Sequence, residues 1–373
     1  MLIQTLPEFS DAVGTRNFFT DQPSMAFQTA LELIRLHREL DVTRPEVAAA
    51  GLSLAKLIAP LLMVSNEIRF IKFDPWDTTI LIKSFPGSRV VYQYNPFRDP
   101  ANRSAAGQRP APAPNQKSDF LAWETFPENE HYLAWTSPAG PRYGVLVQPA
   151  PIVPNHLIIA SLDHNPVTGE HFDQYMQAGH LSDMQSLQVI LGEMGYAMGF
   201  NGRHAGASVD HFHTQAVPRD YLPLVRAYAA GEFADAPAAE FSLAWPQVKV
   251  SAVYPKYATR GLLLEAYDLN ALLAPKQAIL STLREQNLTF NSLSWHQPPN
   301  RWVEAVFPRG SETILDGAIK AGYVEMSGML VIPQKNVFES IQTPGVGEKT
   351  LEKAGLSESD FSGFMAKLGA CRT

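Results

Sequence analysis

The sequence predicts an α+β fold: two related halves with antiparallel sheets, behind a helical N-terminal segment. Three observations carry that prediction. Short runs of alternating hydrophobicity interrupt runs of helical period along the 373-residue chain. The order strand, strand, helix, strand occurs over residues 143–217 and, more loosely, over 248–307. Residues 1–66 are dominated by helical spacing. The boundaries that follow are a helical segment at 1–66, a first half at 67–220 that carries the chemistry, and a second half at 221–373 closing in helices.

Each element rests on its own pattern. Ala26 to Leu40 puts Phe27, Leu31, Ile34 and Leu40 near one helical face, and a second helix follows Pro45 through Ala48 to Leu62. From Ile68 the period shortens. Ile68 to Phe73, Thr79 to Phe85 and Val90 to Tyr94 read as strands separated by Pro-Trp and Pro-Gly turns. Ala101 to Lys117, rich in Ala and Pro, is a loop or linker and no central strand. Tyr143 to Val147 and His156 to Ala160 are strands around a Pro149–Pro154 turn. Ser182 to Met198 is a helix, with Leu187, Ile190, Leu191, Met194 and Met198 at spacings of three and four, ended by Gly199. His211 to Val217 is a short strand stopped by Pro218. In the later third, Val248 to Val253, Leu262 to Tyr267, Arg301 to Phe307 and Met329 to Ile332 read as strands. Leu269 to Glu285 and Val346 to Leu368 read as helical, and Trp295-His296 as a surface loop.

Composition narrows the function classes. At 45% hydrophobic and 10% aromatic, the chain can bury a real core. A net charge of -7 argues against broad nucleic-acid binding, which wants a basic surface. The one cysteine, Cys371, excludes an internal disulfide and a cysteine-based zinc site. The apolar stretch at Ile58 to Val64 is too short to span a bilayer, and no basic-then-apolar leader opens the chain. The expectation is a cytoplasmic protein without a membrane or nucleic-acid partner.

The chemistry concentrates in Asp210-His211-Phe212-His213-Thr214-Gln215. On a strand His211, His213 and Gln215 project from one face, and Phe212, Thr214 and Ala216 from the other. Just before it, Asn201-Gly202-Arg203-His204-Ala205-Gly206-Ala207-Ser208 is polar and glycine-containing, a loop that can bring backbone N–H groups to a phosphate. Neutral imidazole attacks phosphorus well at neutral pH if its other nitrogen gives its proton to a fixed acceptor. Neutral donors such as Gln215 and Ser208 suit a phosphate in transfer. A His-x-His pair alone is more often a metal pair, with Asp210 or His204 as a third ligand. Against metal, Gln215 is a poor zinc ligand, and a phosphate-type loop has no role in such a site.

This run resembles the active-site segment of the histidine triad superfamily, in its transferase and phosphorylase branch. That branch includes galactose-1-phosphate uridylyltransferase, diadenosine tetraphosphate phosphorylase and the GDP-hexose phosphorylases, and it carries Gln where the hydrolases have a third His. Pro149 to Ile159 with Asp163-His164 is similar to the strand-turn-strand before the family's helix. Gln93-Tyr94-Asn95-Pro96-Phe97-Arg98 resembles a nucleotide-site segment of the GDP-hexose phosphorylases, and Phe307-Pro308-Arg309 and Gly328 to Pro333 look like the group's C-terminal half. The resemblance covers roughly residues 90–340 and is most specific at 200–215.

The resemblance implies a histidine triad (HIT-like) fold and a nucleotidyltransferase of phosphorylase type. His213 matches the nucleophile that becomes nucleotidylated, His211 a supporting histidine, and Gln215 and Ser208 contacts of the transferred phosphate. Asn201 matches an Asn of the same loop, to which Gly206 and Arg203 also belong. Asn95, Arg98 and Arg309 are candidate substrate ligands, since Arg presents a rigid fork of donors. The implied partners are a nucleotide-sugar or dinucleotide substrate and inorganic phosphate or a sugar phosphate as acceptor, with no cofactor and no metal; the family's zinc-binding members use cysteines. A homodimer and an internal duplication are both compatible with it. His156 and His164 read as structural. Hydrolysis of the same intermediate and a non-catalytic nucleotide-binding protein remain open as rivals. No P-loop, dinucleotide fingerprint or Gly-x-Ser-x-Gly elbow is present.

Overall fold

Ten strands drawn from between Glu39 and Pro308 run into one sheet. The computed structural model describes residues 1–12, 39–41, 54–67, 77–99, 121, 132–165, 169, 171–236 and 245–370. Its strands are β1 (Leu2–Thr5), β2 (Glu39–Asp41), β3 (Leu81–Ser84), β4 (Val91–Tyr94), β5 (Tyr132–Thr136), β6 (Arg142–Val147), β7 (Leu157–Ser161) and β8 (Tyr196–Asn201). They continue with β9 (His213–Pro218), β10 (Lys249–Ala252), β11 (Leu262–Ala266), β12 (Phe290–Gln297), β13 (Arg301–Pro308), β14 (Thr313–Ile314), β15 (Ile319–Lys320) and β16 (Met329–Ile332). The large sheet has the order β10-β11-β13-β12-β8-β9-β7-β6-β5-β2, antiparallel except at β2–β5.

The same path appears on either side of the β8–β12 seam. A hairpin (β6–β7) is followed by the helix Ala178–Glu193 and a second hairpin (β8–β9) whose last strand returns to β7. Likewise β10–β11, the helix Leu273–Glu285 and β12–β13 end with β13 against β11. A separate four-stranded sheet, β1-β3-β4-β16, pairs β16 with β4 in parallel and so brings residues 329–332 beside 91–94.

Side-chain alternation assigns the two faces of the large sheet. Met198, Phe200 and Ala216 pack with Leu187 and Leu191 of one helix and Ile279 and Leu283 of the other. Ala197, Val217, Leu293 and Trp295 pack on the opposite side with Tyr323, Met326 and strands of the small sheet. That second face carries His213 and Gln215.

Several expectations change. The helix expected to reach Met198 ends at Glu193, and Gly195 turns the chain at φ 83° into β8. Met194 and Met198 fit a helical spacing, but from Tyr196 the chain alternates between two covered faces. Gly199 is therefore no helix stop; a Cβ there would overlap the Tyr323 ring. Trp295 is no surface loop but a fully buried residue of β12, and His296 packs beside Trp302. Glu39 and Leu40 lie in a strand, while the rest of the 26–40 helix, the strand at 68–73, the 101–117 linker and Cys371 lie outside the described residues. The strands near 81, 91, 143, 157, 249, 262, 301 and 329 fall where expected, and the helix expected through Ala48 to Leu62 is described from Leu54 and runs on to Glu67. Among the described residues no helix is long and apolar enough to cross a membrane.

Candidate active site

β9 begins at His213, so His213 and Gln215 share a strand face, while His211 precedes the strand. The hydrogen bonds decide the tautomer. His213 Nδ1 lies 2.8 Å from the His211 carbonyl oxygen. A carbonyl only accepts, so Nδ1 carries the proton and the neutral ring keeps its lone pair on Nε2.

Gln215 is oriented by His156. The backbone N–H of Ile152 donates to His156 Nδ1 across 3.3 Å, so the imidazole proton sits on Nε2 and goes to Gln215 Oε1, 2.9 Å away. Burial pushes His156 down to about 3, Arg98's charge adds to this, and the bond to Gln215 opposes it. With its oxygen engaged, Gln215 has its NH2 to donate elsewhere on the face of His213. The Pro-rich turn that aims His156 is clamped from β4 and the turn after it: Gln93 Nε2 donates to the Ile152 carbonyl (2.8 Å) and Arg98 Nη1 to that of Ala150 (2.8 Å).

Asn201 ends β8 opposite His213. The β8–β9 register pairs Met198 with Ala216 and Gly199 with Gln215; continued by two residues, it sets Asn201 across from His213 on one face. The strands part there, and Gln174 fills the gap. Its Nε2 donates to the carbonyls of Asn201 (2.7 Å) and His213 (2.9 Å), and its Oε1 accepts from His213 N (2.8 Å). One amide thus replaces the missing ladder.

The loop after Asn201 packs against the second half. Gly206 has φ 88°, and a Cβ there would meet the Ala321 carbonyl at 2.6 Å and Gly322 Cα at 2.7 Å. Ser208 is exposed, and Arg203 pairs with Asp210 at 3.1 Å on the surface. Asn95 is buried, caps the turn Pro96–Arg98 through Phe97 N (3.2 Å) and reaches Gln93 (3.4 Å). Arg98's charge is felt by His156, Tyr323 and Glu325, which places a cation beside this cleft.

His213, Gln215 and Asn201 converge, with Arg98 and Asn95 behind the turn that holds His156. Two candidates stand apart. Arg203 is turned outward to Asp210. Arg309 is buried and gives its guanidinium to the carbonyls of Ala354, Ala321 and Ser311 and to Asn291 Oδ1, so it faces the chain's own acceptors rather than a ligand. His211 donates from Nε2 to the Ser161 carbonyl (2.7 Å) and heads a stack of rings with His171 and His164, at 4.6 and 4.4 Å. Among the described residues no group of three or more His, Cys, Asp or Glu side chains is placed to hold a metal.

Sequence reasoning weighed His156 and favoured a structural role for it, and passed over Gln174, Asn291 and Tyr323. The position of His156 between the Pro-rich turn and β7 was a usable signal. Gln174 and Asn291 sit in stretches with no motif.

With this geometry in place, the similarities have a context. A family described as a domain of unknown function (DUF4922) matches residues 78–218, a span that runs from β3 to β9. No curated protein matches the chain. Yeast Ap4A phosphorylase in complex with Ap4A has a similar structure, with a TM-score of 0.57 and 17% identity over 82% of this chain and 97% of that one. The same enzyme in complex with AMP gives a TM-score of 0.53 at 18% identity, over 81% and 97%. The chain therefore has the α+β fold of the phosphorylase.

Proposed function

We propose that this protein is a nucleotidyltransferase of phosphorylase type in the histidine triad superfamily, acting through a nucleotidyl-His213 intermediate. The observation that carries it is the 2.8 Å bond from His213 Nδ1 to the His211 carbonyl, which fixes the lone pair on Nε2. In the first step Nε2 attacks the α-phosphorus of a dinucleoside polyphosphate or nucleoside diphosphate-sugar. The P–N bond forms as the bond to the bridging oxygen breaks, and the leaving phosphate takes that electron pair. In the second, an oxygen of inorganic phosphate attacks the same phosphorus, the P–N bond breaks, and a nucleoside diphosphate leaves.

Gln215 and Asn201 donate to the non-bridging oxygens, with Ser208 and the N–H groups around Gly206 at the loop side. Arg98 and Asn95 serve the remainder of the nucleotide. The likeness to an Ap4A phosphorylase supports a dinucleoside polyphosphate as substrate; the Asn95-Pro96-Phe97-Arg98 segment supports a nucleotide-sugar such as a GDP-hexose. The duplicated strand path supports two histidine-triad-like halves in one chain, with the chemistry on the first.

The test incubates protein with α-labelled Ap4A and common nucleotide-sugars in the absence of phosphate. The expected result is an acid-labile, base-stable label on wild type, absent from His213→Ala and discharged as nucleoside diphosphate by phosphate. Equal labelling of wild type and His213→Ala overturns the reading, and discharge by water at the same rate makes the enzyme a hydrolase.

A further inference from the structure

Asn291 lies near the start of β12 and Arg309 directly follows β13, yet their hydrogen bonds lead to the end of β8. Arg309 is 3% exposed, with Nε 3.1 Å from the Ala354 carbonyl, Nη1 2.6 Å from that of Ala321, and Nη1 also on Asn291 Oδ1. A guanidinium only donates, so the atom it meets on Asn291 is the oxygen and the carboxamide has one orientation. Its NH2 is then spent on Asn201 Oδ1 (2.9 Å) and the Ala205 carbonyl (2.7 Å). Tyr323 N adds a second donor to Asn201 Oδ1 at 2.6 Å.

Two donors fill the lone pairs of the Asn201 oxygen. Turned over, the Asn201 amide would set its NH2 against both of them, so Nδ2 is the atom left to face the cleft opposite His213. The order of the chain also matters. A cation polarises Asn291, and Asn291 polarises Asn201, which strengthens the terminal donor. This arrangement keeps the charge two amides away from the phosphate it influences.

We infer that Asn291 and Arg309 are positioning residues, supplied by the second half of the sheet, that turn the NH2 of Asn201 toward the phosphate carried by His213. This rests on the nucleotidyl-transfer reading. It gives the second half, which lacks the histidines, a defined share in the reaction.

Two measurements test it. In Asn291→Asp the carboxylate still accepts from Arg309 but confronts the Asn201 oxygen with another acceptor. The expected result is a fall of about 10-fold or more in the maximal rate of His213 labelling, with KM changed by no more than about twofold. Asn201→Ala should lose a similar factor, and adding Asn291→Asp to it should cost nothing further, because the pair acts through one donor. Arg309→Lys, with unfolding midpoints measured alongside, should fall between wild type and Asn291→Asp.

The second measurement does not need activity. In 15N-labelled protein the side-chain amide pair lost in Asn201→Asp belongs to Asn201. It should shift on addition of AMP or GMP in wild type and lose that response in Asn291→Asp. Wild-type labelling rates in Asn291→Asp, or full additivity with Asn201→Ala, overturn the inference. If wild type takes no label, the transfer reading fails by itself. The Asn201 amide pair then decides the positioning claim, and an unchanged pair in Asn291→Asp overturns it.

Discussion

His156 and Gln215 form one locked pair: the imidazole Nε2 lies 2.9 Å from Gln215 Oε1, and its Nδ1 accepts from Ile152 N. Gln215 is thereby told which end of its amide to present. A glutamine in solvent has no such preference, since its two ends differ little in shape and only in hydrogen-bond sense.

His156→Phe keeps the ring volume and removes the donor. Gln215 loses its orientation, and the maximal rate of His213 labelling should fall about 10- to 100-fold with little change in KM. His156→Gln, which can still donate to Gln215 Oε1, should recover part of that loss. Equal rates in wild type and His156→Phe would show that Gln215 is held by something else.

Burial also makes His156 a source of acid sensitivity. Its pKa falls from 6.5 to about 3 on folding, so below pH 6.5 the unfolded chain binds a proton that the folded one refuses. Stability is complete above pH 6.5 and declines as pH falls toward 3. At pH 5 the loss from this group is about 2 kcal/mol. His180, pushed down to about 4 by burial, acts in the same direction. Urea midpoints at pH 7 and pH 5 should differ more for wild type than for His156→Gln.

Gln174 closes the gap where β8 and β9 separate. Gln174→Leu leaves the carbonyls of Asn201 and His213 and the amide of His213 buried without this partner, at a cost of about 3 kcal/mol. Amide exchange at His213 should accelerate more than exchange in the middle of β12. Labelling at His213 should slow in the same variant, even under conditions where it remains folded.

Gly199 makes room for Tyr323. Gly199→Ala pushes a methyl group into the ring and should destabilise by about 2 kcal/mol, read as a lower unfolding midpoint. The same change moves the segment whose Tyr323 N holds Asn201, so slower labelling is expected with it. Gly87→Ala, at a turn with open space around it but φ 75°, tests backbone strain without the clash and should leave labelling unchanged.

The sequence by itself determined the local periods and the chemical types. Short apolar runs marked β4, β7 and β11, the 3–4 spacing marked the helix through Leu187 and Leu191, and Asp210 to Gln215 singled out His213 with Gln215 on one strand face. It failed where one pattern served two structures. Met194 and Met198 continue a helical spacing, yet Gly195 and the helices covering one face make Tyr196–Asn201 a strand.

Only the tertiary structure decided what holds the site. His156 reaches Gln215 across 59 positions, Gln174 reaches His213 across 39, and Asn291 reaches Asn201 across 90. These amides and imidazoles are common residues without local period. Their roles arise from which strands become neighbours, and that is set by the burial of two sheet faces at once. Arg309 shows the consequence most directly: its charge suggested a phosphate ligand, and its burial among four acceptors turned it toward Asn291 instead.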